Sequence, residues 1–417
     1  MRPLATIHYM PLANSSLNPD SHSNAAPRSR RVLEVLATFL KLGVSSFGGP
    51  IAHLGYFHRE IVVKRRWVDE AQYAQLVALG QFLPGPASSQ VGFSLGLLRA
   101  GWAGGLAAFV AFTLPSVVLL LAFARAIPLL QQPEGQAAIH GLKLLAVAVV
   151  AQGVLTMAER LTPDFRRRVI AVVAAAVAIT VSSAFTQLVV IVGGACAGLM
   201  FCRSSRVSDS AGFALGYRRR TGLVLISLFV TLLLASILLT ANTSLLGSVT
   251  AAFYRTGALV FGGGHVVLPL LQESVVDPGW VSTEDFLAGY GAAQAVPGPM
   301  FSLAAFLGAR IEGVNDLLGA AVSLLAIFLP GLLLMAGMLP FWHVIARAGK
   351  AANAIAGVNA AVVGLLAAAL YNPVWTSAVH EWTDIAIAGA AFLILTATPA
   401  PVLAVVTGCV IASMLAS

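Results

Sequence analysis

Charge is scarce in this sequence. Asp, Glu, Lys and Arg make up 10% of its 417 residues, against about 25% in an average soluble domain. A soluble fold must cover its outside with polar groups, and a chain that is 58% hydrophobic with a mean hydropathy of +0.86 has too few of them. An ordinary soluble globule is therefore excluded, whereas a bilayer removes the requirement. The alternation of apolar and polar residues that marks barrel strands is missing too. The apolar runs are long and unbroken, which implies helices. Aromatic residues are few, at 8%, while Gly alone numbers 39. Small residues suit helices that approach closely where no hydrophobic effect drives them together.

Other absences narrow the function. The three cysteines, Cys196, Cys202 and Cys409, are too few and oddly numbered for a disulfide framework, and their spacing fits no zinc site. They read as small apolar residues. No Gly-Lys-Ser/Thr phosphate loop is present, which argues against ATP hydrolysis. No basic segment is interleaved with aromatics, so nucleic acid is not an expected partner. The spans carry almost no carboxylate pairs or His clusters, so no catalytic set is expected and an enzyme is disfavoured. His53 and His58 are five residues apart and share no tight helical face, which argues against a metal. The sequence implies no cofactor. Residues 1–31 lack an apolar core after Met1 and end in Arg28, Arg30 and Arg31. They read as a disordered cytoplasmic tail and not as a signal peptide.

What is present is a series of apolar runs near 102–124, 137–158, 168–184, 187–202, 222–241, 315–338, 351–370, 384–397 and 399–416. A span needs about 20 residues, with a lower limit near 17. Two regions differ, 32–98 and 246–312, where charges, Gly and Pro interrupt short apolar stretches. They predict broken or re-entrant helices.

These two regions repeat one another. Phe47-Gly48-Gly49 recurs 214 residues on as Phe261-Gly262-Gly263, and Trp67-Val68 recurs 213 on as Trp280-Val281. Gln81 followed by Pro84-Gly85-Pro86 recurs 213 on as Gln294 followed by Pro297-Gly298-Pro299, and Leu114-Pro115 recurs 215 on as Leu329-Pro330. Charge inverts the copies. Lys64-Arg65-Arg66 in the first faces an acidic counterpart, Asp277 to Asp285, with no Lys or Arg. The positive-inside rule puts the first in the cytoplasm and the second outside. Arg166, Arg167, Arg168, Arg347 and Lys350 should also be inside, and their counterparts near 371–383 and 128–136 outside. The fold class is thus an all-α polytopic membrane protein of about 10–13 membrane helices, built as an inverted repeat with broken helices. The expected division is a tail (1–31), a first repeat (32–202), a basic cytoplasmic linker with a linking span (203–245) and an inverted second repeat (246–417).

In such folds the substrate site lies near the midplane at the repeat interface, where half-helix N-termini attract anions. The candidate substrate-binding residues are therefore the paired breaks and their flanks. In the first repeat these are Phe47, Gly48, Gly49, Gln81, Pro84, Gly85 and Pro86. In the second they are Gly262, Gly263, Gln294, Pro297, Gly298 and Pro299. Lys41 and Arg255, each six residues before the Phe of the motif, add a cation to each half. The alternative for them is snorkelling to the interface. Arg99 and Arg310 follow the Pro-Gly-Pro segments and suit the pathway mouths. His53, Glu60, His265 and Glu273 are candidates for proton coupling.

Phe47-Gly48-Gly49-Pro50, the stretch from Trp67 to Pro86, Phe261-Gly262-Gly263-Gly264-His265 and Val296-Pro297-Gly298-Pro299 together resemble the chromate transporter (CHR) family in its long two-domain form. The likeness spans roughly 32–415. It implies a multi-pass protein of the bacterial inner membrane that expels chromate, confers resistance and couples to the proton motive force, with sulfate as a related oxyanion. A homo-oligomer is compatible with this reading. An anion channel, or a carrier of sulfate or another oxyanion, is the alternative. The second copy has Gly264 where the first has Pro50, so the halves need not contribute equally.

Overall fold

A computed structural model describes residues 27–130, 132–181, 186–202, 213, 215–238, 244–261, 267–342, 349–398 and 400–416. The first half opens with α1 (Arg28–Ser45), which begins within the segment read as a tail. It ends at a break where Gly48 takes the left-handed conformation, φ 96°, and caps α2 (Gly49–Phe57), with Pro50 in its first turn. A π-helical turn, His58–Lys64, closes that half-helix. α3 (Glu70–Phe82) starts on a capping box between Asp69 and Gln72 and stops before Pro84. Pro86 then caps α4 (Ala87–Ala126).

α4 is two arms. Its backbone leaves the helical region at Ala100 and Gly101, the latter at φ 69°. The arms fold back so closely that a Cβ on Gly96 would collide with the Gly104 carbonyl. Then come α5 (Pro133–Leu161), α6 (Phe165–Thr180) and α7 (Thr186–Phe201). α8 (Arg219–Leu238) links the halves.

The second half retraces this course with α9 (Leu245–Leu259), α10 (Val267–Leu271), a π-helical turn Gln272–Val276 and α11 (Thr283–Ala295). α12 (Leu303–Arg310) and α13 (Asp316–Met338) match the two arms of α4. Gly313, φ 83°, stands at their turn as Gly101 does in the first half, and Gly308 packs on Gly319 as Gly96 packs on Gly104. α14 (Gly349–Ala369), α15 (Trp382–Ala397) and α16 (Val402–Ala416) complete the copy. The chain is an all-α polytopic membrane protein made of two homologous halves.

Among the described residues, five helical stretches are long and apolar enough to cross a bilayer: Ala87–Leu129, Pro133–Leu161, Arg219–Leu238, Asp316–Phe341 and Ala352–Ala378. α6 and α7, expected from the runs 168–184 and 187–202, have 16 residues each, about 24 Å of helix against a hydrocarbon core of about 30 Å. These short helices are exchanged between the halves. α6 and α7 pack on α14 of the second half, while α15 and α16 pack on α5 of the first. Glycines permit the approach: a Cβ on Gly194 would press on Ala361 and the Gly357 carbonyl, and one on Gly141 would press on the Cys409 carbonyl. The halves are interlocked and not merely docked.

Candidate functional site

The two Pro-Gly-Pro breaks meet the opposite half at the centre of the molecule. The Gly85 N–H donates to the Val260 carbonyl at 2.7 Å, and the Gly298 N–H donates to the Ser46 carbonyl at 3.0 Å. Ser46 and Val260 occupy matched places, each just before Phe-Gly-Gly. A reciprocal exchange of this kind is what a two-fold relation produces. Both glycines need their freedom: Gly85 has φ 116° and Gly298 φ 102°. A Cβ on Gly85 would lie 2.9 Å from the Gly331 Cα, and one on Gly298 would lie 2.9 Å from the Ser116 hydroxyl. Pro84, Gly85 and Pro86 are buried, as are Pro297, Gly298 and Pro299.

Polar side chains gather round this crossing. Ser116 Oγ lies 2.6 Å from Ser302 Oγ and donates to the Thr113 carbonyl. Gln90 donates to the Pro84 carbonyl at 2.8 Å and across the interface to the Gly331 carbonyl at 3.1 Å. His53 Nδ1 sits 3.4 Å from Ser88 Oγ, with its ring edge-on to Phe112 at 5.3 Å. Several buried polar atoms nevertheless lack a hydrogen-bond partner: Ser46 Oγ, His53 Nε2, Ser89 Oγ, Gln90 Oε1 and Thr113 Oγ1. Buried polar groups are nearly always paired, and these atoms are free to pair with a polar ligand or water. Ser88, Ser89 and Gln90 stand in the first turn of α4, and Ser302 stands before α12. Helix N-termini carry unsatisfied N–H groups and favour anions.

The charged candidates lie elsewhere. Lys41, 60% exposed at its side chain, pairs with Glu60 at 3.3 Å. Glu60 also receives Lys64 at 3.4 Å and Arg65 at 3.1 Å. Burial would raise the Glu60 carboxyl, but hydrogen bonds from Arg65, Lys41 and Lys64 outweigh it and hold the group below its ordinary value. Arg99 pairs with Glu34 at 2.9 Å and lies over the Trp67 ring. Arg310 pairs with Asp285 at 2.8 Å. Each of these cations thus already has a carboxylate in the protein. Arg255 is within electrostatic reach of Glu273, the counterpart of Glu60. Phe47 and Gly49 are half-buried and Gly48 is exposed. Gln81 is exposed, whereas Gln294 is half-buried and donates to Met300 Sδ. Gly262, Gly263 and His265 lie outside the described residues.

A family profile described as chromate transporter matches residues 33–199 and 247–414. The chain belongs to the chromate transporter family. The two matches fall on the two halves and leave out α8 between them. This family member is 32% identical over 335 residues to a probable chromate transport protein of Synechococcus elongatus, covering 80% of this chain and 82% of that one. It is 26% identical to the chromate transport protein of Pseudomonas aeruginosa, over 84% of this chain and 82% of that one. It is also 26% identical to that of Cupriavidus metallidurans, over 81% of each chain. No solved structure matches.

In this transporter the polar lining comes mainly from the first half. At the repeat offsets, Ser46 corresponds to Val260, His53 to Val267, Ser88 to Phe301 and Thr113 to Phe328. Sequence reasoning found the breaks but missed Ser46, Ser88, Ser89, Gln90, Thr113, Ser116 and Ser302. A signal existed: Ser88-Ser89-Gln90 follows Pro86 after a single alanine, in the first turn of a helix that must start there, and is an unusually polar triplet for this chain. On the acidic side of the second half, Glu273, Asp277, Gln187, Gln272 and Asn372 line a cavity of about 820 Å³.

Proposed function

We propose that this protein is a secondary transporter that exports chromate from the cytoplasm and thereby confers chromate resistance, driven by the proton motive force. It does so in the bacterial inner membrane, with its N-terminus in the cytoplasm. The reading is carried by the crossing of the two Pro-Gly-Pro breaks inside a cluster of unpaired hydroxyl, amide and imidazole groups. Half-helix ends and neutral donors there suit a tetrahedral oxyanion. The names of the relatives supply chromate as the substrate.

Charge supports the direction. Lys41, Arg59, Lys64, Arg65 and Arg66 flank the breaks of the first half, while Glu273, Asp277, Glu284 and Asp285 flank those of the second. A basic cytoplasmic mouth raises the local anion concentration, and an acidic outer one favours release. The candidate substrate residues, Lys41 and Arg255 among them, then form the path from mouth to crossing. His53, Glu60, His265 and Glu273 remain the candidates for proton coupling.

The test is chromate uptake into everted vesicles, with and without a proton gradient and with sulfate as competitor. Gradient-dependent uptake that sulfate competes for weakly is expected. Uptake that follows the membrane potential alone would identify an anion channel, and preferred uptake of sulfate would identify a sulfate carrier.

A further inference from the structure

His53 is the ionisable group among the unpaired polar side chains at the crossing. It is 1% exposed, and its Nε2 has no hydrogen-bond partner. Among the described residues, the groups in contact with its ring carry no charge. α1 ends at the Ser46 carbonyl, which lies within reach of the ring and also accepts the Gly298 N–H. α4 brings the Ser88 hydroxyl and the face of Phe112. Among the described residues, no carboxylate, Lys or Arg pairs with the ring.

Two costs arise in such a place. A proton on His53 would be a lone buried cation, and an oxyanion arriving at the crossing would be a lone buried anion. Desolvating either alone is unfavourable. Together they offset one another, and the hydroxyls can donate to the remaining oxygens.

We propose that His53 holds one proton against the bound oxyanion and that this proton makes the site selective for a tetrahedral oxyanion whose conjugate acid titrates near neutral pH. The inference rests on the reading that the crossing binds the transported anion. Hydrogen chromate gives up its proton near neutral pH, as imidazolium does, whereas bisulfate is a far stronger acid. One proton lies between ring and anion, as imidazolium facing chromate or imidazole facing hydrogen chromate, with the same net charge of −1 on the pair. With sulfate the proton stays wholly on the ring, and the hydrogen bond is the weaker for it. The second half places Val267 at the matching position and offers no such group there.

Calorimetric titration of the purified full-length protein with chromate and with sulfate, at pH 8 in two buffers of different ionisation enthalpy, counts the protons taken up per anion. The wild type is expected to take up about one proton per chromate and to prefer chromate over sulfate by roughly tenfold or more. His53→Gln and His53→Asn should lose the proton uptake and bring the two anions towards parity. Ser88→Ala should weaken both anions severalfold and keep the proton count. Variants at His53 that retain both proton uptake and chromate preference overturn the proposal, as does a wild-type proton count of zero, whatever the variants do. In either case chromate binding by the wild type leaves the transport reading standing. A wild type that binds neither anion removes that reading and this inference with it.

Discussion

The Gly85 amide lies 2.7 Å from the Val260 carbonyl, joining the Pro-Gly-Pro break of one half to the Phe-Gly-Gly break of the other. Gly298 and Ser46 repeat the contact in mirror roles at 3.0 Å. Each half therefore stops its neighbour's broken helix, and the centre of the protein is held by backbone groups that no side-chain substitution can replace.

Gly85→Ala and Gly298→Ala should both be damaging. A residue with a Cβ forced to positive φ costs roughly 1–3 kcal/mol, and the contacts with Gly331 and Ser116 add to it. Thermal unfolding in detergent should show a lower midpoint for each, and chromate transport per folded molecule should fall further than stability does. Normal transport by both variants would mean that the crossing is scaffold and not site.

Reporter fusions in the 64–66 and 277–285 loops should report opposite sides of the membrane, the first in the cytoplasm. The expectation follows from Lys64-Arg65-Arg66 against the acidic counterpart. Two fusions on one side would contradict the inverted arrangement.

Lys41→Gln should raise the KM for chromate severalfold and leave kcat nearly unchanged, since its exposed ammonium acts on approach to the site. The effect should fade at high ionic strength, where the Debye length shrinks to about 3 Å at 1 M salt. Lys41→Arg should be milder. Arg255→Gln and Arg255→Lys should rank in the same order. An equal loss at all salt concentrations would place these charges on the bound anion itself.

Glu60 carries a pH dependence of stability with a definite sign. Its carboxyl is held below its ordinary value of 4.5 by Arg65, Lys41 and Lys64, which overcome burial. The stability it contributes is therefore complete above that ordinary value and is lost as pH falls through the lower, folded one. Melting curves across the acid range should show the wild type losing its advantage over Glu60→Gln as the carboxyl protonates. An advantage that persists after protonation would assign the effect to shape and not to charge.

Gly357→Val should loosen the exchanged hairpins, because Gly357 packs against Gly194 and Gly198 of α7. Overpacking costs about 1–3 kcal/mol. A lowered melting midpoint is the expected result.

Much of this protein is legible in its sequence because the relevant signals are local. Runs such as 102–124 and 315–338 declare helices by composition, the recurrence of Phe-Gly-Gly and Pro-Gly-Pro declares a duplication, and the contrast between Lys64-Arg65-Arg66 and Asp277 to Asp285 declares the inversion. A bilayer imposes these patterns residue by residue, through the cost of exposing polar groups to hydrocarbon. What stands opposite what was decided by packing between separate segments, 19 residues apart for Lys41 and Glu60 and 175 for Gly85 and Val260, to which periodicity is blind. Tertiary structure alone set α6 and α7 on α14, gave Lys41 to Glu60, and gathered Ser46, His53 and Ser88 round one backbone crossing. A serine in an apolar helix looks the same in sequence whether it faces lipid, a neighbouring carbonyl or a substrate. Its partner is chosen when the two halves close on one another.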